Sequence, residues 1–222
     1  MLTAEELILR RLVVCASGLI YWAGVWVLAR RVRKQIGHSP NLKPRGSREK
    51  ALWLGWFVVI LVWLGQPWLA GKPGANAALT FFPGLLHPVV LALGILFVVL
   101  GYAATLWAYG AMGNTWRIGI NAKEKTTLIH RGPYRWVRHP IYSFQIVMLA
   151  GVALLLPTPV SFAILALHYF CVRLKAGAEE KYLVKVHGED YHRYRARTGR
   201  LFPNLIGNRT GADKSTRRNV DL

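Results

Sequence analysis

The sequence predicts an all-α fold, a polytopic membrane bundle of about five transmembrane helices. Three observations predict it. Of the 222 residues, 53% are hydrophobic and nine are Trp, with a positive mean hydropathy, the balance of a small membrane protein and not of a soluble domain. The apolar residues are segregated, since residues 12–29, 51–70, 85–109, 141–156 and 160–172 include no Asp, Glu, Lys or Arg. The Lys and Arg residues alternate in density from one connecting loop to the next.

Taken in order, the first three stretches are long enough to cross a hydrocarbon core of about 30 Å at about 1.5 Å per residue. The last two are short and separated only by Pro157-Thr158-Pro159, which predicts a tight helical hairpin. Residues 30–50 carry Pro40, Pro44 and Gly46 among many basic side chains and read as a polar linker. Residues 71–84, rich in Gly and Pro, read as an outer loop or re-entrant turn. Trp22, Trp53, Trp68 and Trp107 lie near span ends and are expected as interfacial anchors. Beyond Glu180, the spacing of Leu183, Val186, Tyr191 and Tyr194 predicts an amphipathic C-terminal helix on the cytoplasmic face, interrupted at Gly188 and ended near Pro203. The polar composition of 207–222 predicts a disordered tail. These readings divide the chain into 1–110, three N-terminal spans; 111–206, a loop, hairpin and C-terminal helix; and the tail.

The net charge of +19 is arranged as topology and not as a nucleic-acid surface. Basic side chains crowd the loop after the first span, only Lys72 lies in the loop after the second, and the loop after the third is basic again. That alternation places the N-terminus outside and the basic loops and C-terminus in the cytoplasm, against anionic lipid head groups. No nucleic-acid partner is expected. Glu5 and Glu6 precede the first span, so no cleaved signal peptide is expected either. Cys15 and Cys171 each fall within a span and are expected as buried apolar side chains without a disulfide. No metal site is expected.

Chemistry concentrates at one boundary. The run Gly132-Pro133-Tyr134-Arg135-Trp136-Val137-Arg138-His139-Pro140-Ile141-Tyr142 sets two Arg, a His and two Tyr against an apolar stretch. Pro140 suits the first turn of a helix, so His139-Pro140 alone could be a helix start and nothing more. The full run makes an electropositive cup in which backbone N–H groups and the imidazole can meet an anion. The hairpin returns Lys175, Glu179 and Glu180 to the same boundary. Lys175 and Glu179 are four apart and share a helix face, which suits recognition of a zwitterion or, more plainly, a solvated ion pair.

Gly113-Asn114-Thr115-Trp116-Arg117, Leu128-Ile129, Gly132-Pro133-Tyr134, Arg138-His139-Pro140-Ile141-Tyr142, Glu179-Glu180, Leu183, Gly188, Tyr191, Tyr194 and Pro203 follow one another in an order and spacing that resembles the isoprenylcysteine carboxyl methyltransferase and phospholipid methyltransferase superfamily of integral membrane enzymes. The resemblance covers residues 113–203. It implies methyl transfer from S-adenosyl-L-methionine, bound at the cytoplasmic face, to a lipophilic acceptor arriving from the bilayer. By matching position it implies that Thr126, Thr127, Leu128, Ile129, Tyr134, His139, Pro140, Ile141 and Tyr142 line the cofactor pocket, with Glu179 opposite. The basic position that contacts the acceptor in the carboxyl methyltransferases is Lys175 here, where an Arg is usual, and lysine lacks the bidentate fork. Phe144 stands where many relatives have Gly, which reshapes the acceptor's path. Arg117 is a further candidate for the acceptor or for lipid phosphate.

The physics of the reaction agrees with a helical site. Soluble methyltransferases commonly hold the cofactor on a Gly-rich turn after a strand, and the sequence has no strand-turn-helix candidate of that kind. Attack of a carboxylate or thiolate on a sulfonium methyl disperses charge, so a dry site favours it. A carboxylate needs no general base; a thiol or amine must lose a proton, for which Glu180 or His139 is the candidate. Isoprenylcysteine-type carboxyl O-methylation is the first expectation, with phospholipid N-methylation or small-thiol S-methylation behind it. A sterol-reductase-like NADPH enzyme and a non-catalytic membrane scaffold are the more distant readings.

Overall fold

A computed structural model describes residues 3–36, 46–72, 74, 76–113 and 128–204. Among these residues there are six α-helices and no named strand: α1 (Ala4–Ile36), α2 (Ser47–Leu69), α3 (Pro88–Met112), α4 (Pro140–Leu155), α5 (Pro159–His187) and α6 (Glu189–Arg197). Helices α1, α2, α3 and α5 are long and apolar enough to cross a membrane, and α4 is a shorter apolar helix.

The helix boundaries follow local chemistry. Pro88, Pro140 and Pro159 each occupy the first turn of their helix, where a missing N–H costs nothing. Thr158 caps α5 by accepting the Ser161 N–H on its hydroxyl (3.2 Å). Gly188 adopts φ 53° between α5 and α6, a left-handed conformation that L side chains avoid, and its N–H closes α5 on the Val184 carbonyl (2.9 Å).

Two boundaries differ from expectation. Arg30 to Lys34 continue α1 in place of opening a linker, because Lys and Arg are good helix formers and favour a C-terminal turn. Helix α5 runs unbroken past its apolar stretch through Lys175 and Glu180 to His187, and its buried charges are paired. Of the expected anchors, Trp68 and Trp107 are exposed, whereas Trp22 packs edge-on against Tyr21 at 5.3 Å. The tail 207–222 lies outside the described residues. Cys15 and Cys171 are both free thiols.

Helices α3 and α4 meet backbone to backbone. A Cβ on Gly101 would lie 2.8 Å from the Met148 N and the Phe144 O, and one on Gly151 would lie 2.7 Å from the Gly94 O. Small residues permit this approach, and close packing substitutes for the hydrophobic drive that lipid does not supply between helices. Around this seam Val14, Tyr21, Val59, Trp63, Val98, Met148 and Ile164 form one buried core. The exposed Leu19, Leu54, Phe57 and Val99 point outward, as a lipid-facing surface requires.

The end of the bundle that carries the α4–α5 hairpin is closed by polar caps. The Arg10 side chain is fully buried; its Nη1 donates to the Leu154 and Leu155 carbonyls at the end of α4, and its Nε and Nη2 donate to Glu6. Arg11 donates to the Ala70 carbonyl at the end of α2 (2.7 Å). Both arginines satisfy helix-terminal carbonyls that would otherwise be left unpaired. Ser161 joins the hairpin to α2 by donating to Gln66 Oε1 (2.6 Å). The start of α4 lies at the opposite end of the bundle.

Candidate functional site

The site is assembled where three segments meet: the 3-10 turn Gly132–Arg135 leading into α4, the second half of α5, and the chain beyond α6. The turn is held by the chain that follows it. Val137 and Gly199 form a parallel bridge, Arg138 N–H donates to the Gly199 carbonyl (2.8 Å), and His139 N–H donates to the Arg200 carbonyl (3.1 Å). From α6, the buried Tyr194 hydroxyl donates to the Tyr134 carbonyl (2.6 Å). Helix α6 therefore packs its two tyrosines into the site.

Residues 198–201 act as a strap across the entrance to α4. A Cβ on Gly199 would fall 1.6 Å from the Phe202 carbonyl oxygen, so the strap closes only over glycine. Ser143, in the first turn of α4, donates to the His139 carbonyl (3.1 Å) and shares its hydroxyl with the Leu201 carbonyl.

Within this frame the ionisable side chains sort into two groups. Tyr142 donates its hydroxyl to Glu179 Oε1 (2.9 Å), and His139 Nδ1 lies 3.3 Å from Glu179 Oε2. The His139 and Tyr142 rings stack at 5.7 Å, 11° from parallel. Glu180 forms the second group: Oε1 accepts from Arg138 Nε (2.8 Å), and Oε2 accepts from Arg200 Nη2 (2.7 Å) and Nε (3.1 Å). Between them stands His139 Nε2, buried without a hydrogen-bond partner, 3.6 Å from Glu180 Oε1. Burial disfavours the charged imidazole, but contact with Glu179 and Glu180 outweighs it and holds the His139 pKa above its ordinary value.

The residues expected from sequence are distributed unevenly over this geometry. His139, Tyr142 and Glu179 converge; Tyr134 and Pro140 are buried beside them, and Leu128, Ile129 and Ile141 are half-buried around the same turn. Phe144 sits on α4 with its carbonyl against Gly101 of α3. Lys175 has a protein partner on another helix. It is buried and donates to Glu49 Oε1 of α2 at 2.8 Å, because an ammonium taken out of water needs a carboxylate. Glu180, considered above as a proton acceptor, has both oxygens engaged by guanidinium groups. Thr126, Thr127 and Arg117 lie outside the described residues. Arg138 was part of the motif without an assigned role, and Arg200, on the strap beyond α6, carried no signal at all, since its partner lies twenty residues away on α5.

The arrangement matches known proteins at several levels. Residues 89–190, which contain α4, α5 and the turn between α3 and α4, match the family model described as phospholipid methyltransferase. The chain is 31% identical over 127 residues to protein-S-isoprenylcysteine O-methyltransferase B of Arabidopsis thaliana, covering 54% of this chain and 64% of that protein. Over about half of its length the chain is thus similar to the isoprenylcysteine carboxyl methyltransferase and phospholipid methyltransferase superfamily.

Two further members of this similarity group are the nickel-cobalt-cadmium resistance protein NccN of Alcaligenes xylosoxydans xylosoxydans, 27% identical over 52% of this chain and 51% of that one, and the cobalt-zinc-cadmium resistance protein CzcN of Cupriavidus metallidurans, 28% identical over 53% and 51%. The matches thus span about half to two thirds of the length of these relatives. In fold the chain is similar to the solved eukaryotic intramembrane Ras methyltransferase, isoprenylcysteine carboxyl methyltransferase, with a TM-score of 0.50 and 19% identity over 72% of this chain and 52% of that chain.

Proposed function

We propose that the protein is an integral membrane methyltransferase that uses S-adenosyl-L-methionine and methylates a lipophilic acceptor at the cytoplasmic face of the bundle. The observation that carries this reading is the convergence of His139, Tyr142 and Glu179 at the start of α4, inside the segment that matches the superfamily. The residues fit such a cofactor. Glu179 keeps about a fifth of its side chain exposed and has lone pairs free for an ammonium. The His139 Nε2, buried without a hydrogen-bond partner, offers a polar contact that the protein itself leaves unmade. Leu128, Ile129 and Tyr134 supply the apolar and aromatic wall. When bound, the cofactor supplies an electrophilic methyl group on sulfonium.

The side chains then bind, orient and exclude water. Tyr142 fixes one Glu179 oxygen and His139 stands against the other, so the carboxylate is held in one orientation before any ligand arrives. Isoprenylcysteine-type carboxyl O-methylation is favoured over N- or S-methylation by the engagement of Glu180 with two arginines, which leaves that carboxylate poorly suited to take a proton. A carboxylate acceptor requires no such base. Lys175 supports stability through Glu49 in this reading, and the cation that meets the acceptor is a different group.

Calorimetry on detergent-purified protein tests the cofactor. Saturable binding of S-adenosylhomocysteine is expected, weakened about 10- to 100-fold in Glu179→Ala and His139→Ala, the loss of one charge-assisted contact each. Absence of binding to well-folded protein would overturn the reading. Transfer of labelled methyl into prenylated cysteine analogues, extracted lipids or thiols then separates the acceptors, since a base-labile product is an ester.

A further inference from the structure

We propose that Arg200 is a positioning residue of this site, acting through Glu180 to decide which of two adjacent carboxylates engages His139. The inference deepens the methyltransferase reading and depends on it only for the identity of the ligand. Its basis is the way one buried carboxylate is shared. Glu180 is 5% exposed at its side chain and Arg138 is 8% exposed, whereas Arg200 is 38% exposed. Arg138 is fixed: its Nη1 also donates to the Arg195 carbonyl (3.1 Å) and to the Thr198 carbonyl. Arg200 reaches in from the strap and places two donors on the remaining oxygen.

The consequence falls on His139. Among the described residues, the charged and titratable groups around it are Glu179 and Glu180 on α5, Tyr142 on α4, Arg138 and Tyr134 on the preceding turn, Arg200 on the strap, and Tyr191 of α6 beside Glu180. With both Glu180 oxygens occupied by guanidinium, His139 is drawn to Glu179 at 3.3 Å and stands off from Glu180 at 3.6 Å. Without Arg200, Glu180 Oε2 becomes a buried unpaired acceptor, and His139 Nε2, 3.6 Å from the other oxygen, is a buried donor without a partner, as is the Tyr191 hydroxyl. A buried anion that lacks its cation takes the next proton source available. The ring would tilt toward Glu180, and the Glu179–Tyr142 pair would lose its neighbour. The strap carries this control in its backbone as well, because the Arg200 carbonyl accepts the His139 N–H.

Two substitutions of opposite sign test the proposal. NMR of histidine-labelled protein in nanodiscs reports the His139 titration directly, independent of any ligand. Arg200→Gln removes a nearby cation and should raise the His139 pKa by about one unit; Glu180→Gln removes a nearby anion and should lower it by about as much. Arg200→Lys, which keeps the charge and loses the fork, should restore most of the wild-type value and serves if the Gln variants fold poorly. The pH profile of S-adenosylhomocysteine affinity should move with the titration in each variant. A merely structural strap would loosen the site in both Gln variants and bring both toward the ordinary histidine value; that common direction, an unmoved titration in Arg200→Gln, or a shift in Arg200→Lys as large as in Arg200→Gln, overturns the proposal. Failure of the wild-type protein to bind S-adenosylhomocysteine, with the opposed shifts intact, would overturn the ligand and leave the positioning role standing.

Discussion

At the scale of single residues, two neighbouring glutamates on one helix have different fates. Glu179 and Glu180 differ by about 100° around α5; one faces Tyr142 and His139, and the other faces two arginines. No property of the dipeptide tells them apart. The His139 contact gives a pH dependence whose sign is fixed. Its folded pKa is raised above the ordinary 6.5, so the contribution of the imidazolium to stability is full below that value and is lost as pH rises through the folded pKa. Thermal unfolding in detergent should therefore show a midpoint that declines as pH rises above about 6.5, with a shallower decline in His139→Gln. An equal slope in the two proteins would show that the imidazole is not the titrating group.

Elements set where those side chains can be. The α3–α4 seam fixes the position of the α4 start, because Gly101 and Gly151 let the two backbones touch. A Gly101→Leu substitution forces the helices apart against Met148 and Phe144 and should destabilise the protein by about 1–3 kcal/mol. Gly65→Leu, with nothing within 4 Å of its Cβ position, should leave the unfolding midpoint nearly unchanged. If both substitutions cost the same in detergent unfolding, the seam does not determine packing. The hairpin at the other end is pinned by side chains, with Arg10 on the end of α4 and Ser161 on Gln66. Both ends of α4 are thereby held, as a site built at one of them requires.

For the molecule as a whole, the arrangement of charge predicts orientation. The strongly basic segments follow α1 and α3, and only Lys72 marks the loop after α2, so the site end should face the cytoplasm. In a cysteine-free background, a membrane-impermeant maleimide should label Lys72→Cys on intact cells and Arg193→Cys, exposed on α6, only after permeabilisation. The reverse pattern would place the site outside and remove the cytoplasmic cofactor supply from the proposed function.

The sequence by itself determined the helical membrane architecture, the hairpin at Pro157-Thr158-Pro159 and the boundary where polar chemistry gathers. Hydropathy, proline placement and charge alternation are local properties written along the chain, and a bilayer leaves few ways to satisfy them. It could not assign partners. That Lys175 pairs with Glu49, that Glu180 anchors two arginines, and that residues 198–201 strap the entrance to α4 follow from contacts between segments distant in sequence. Buried charges choose their partners by proximity once the helices have packed, and that proximity exists only in the tertiary structure.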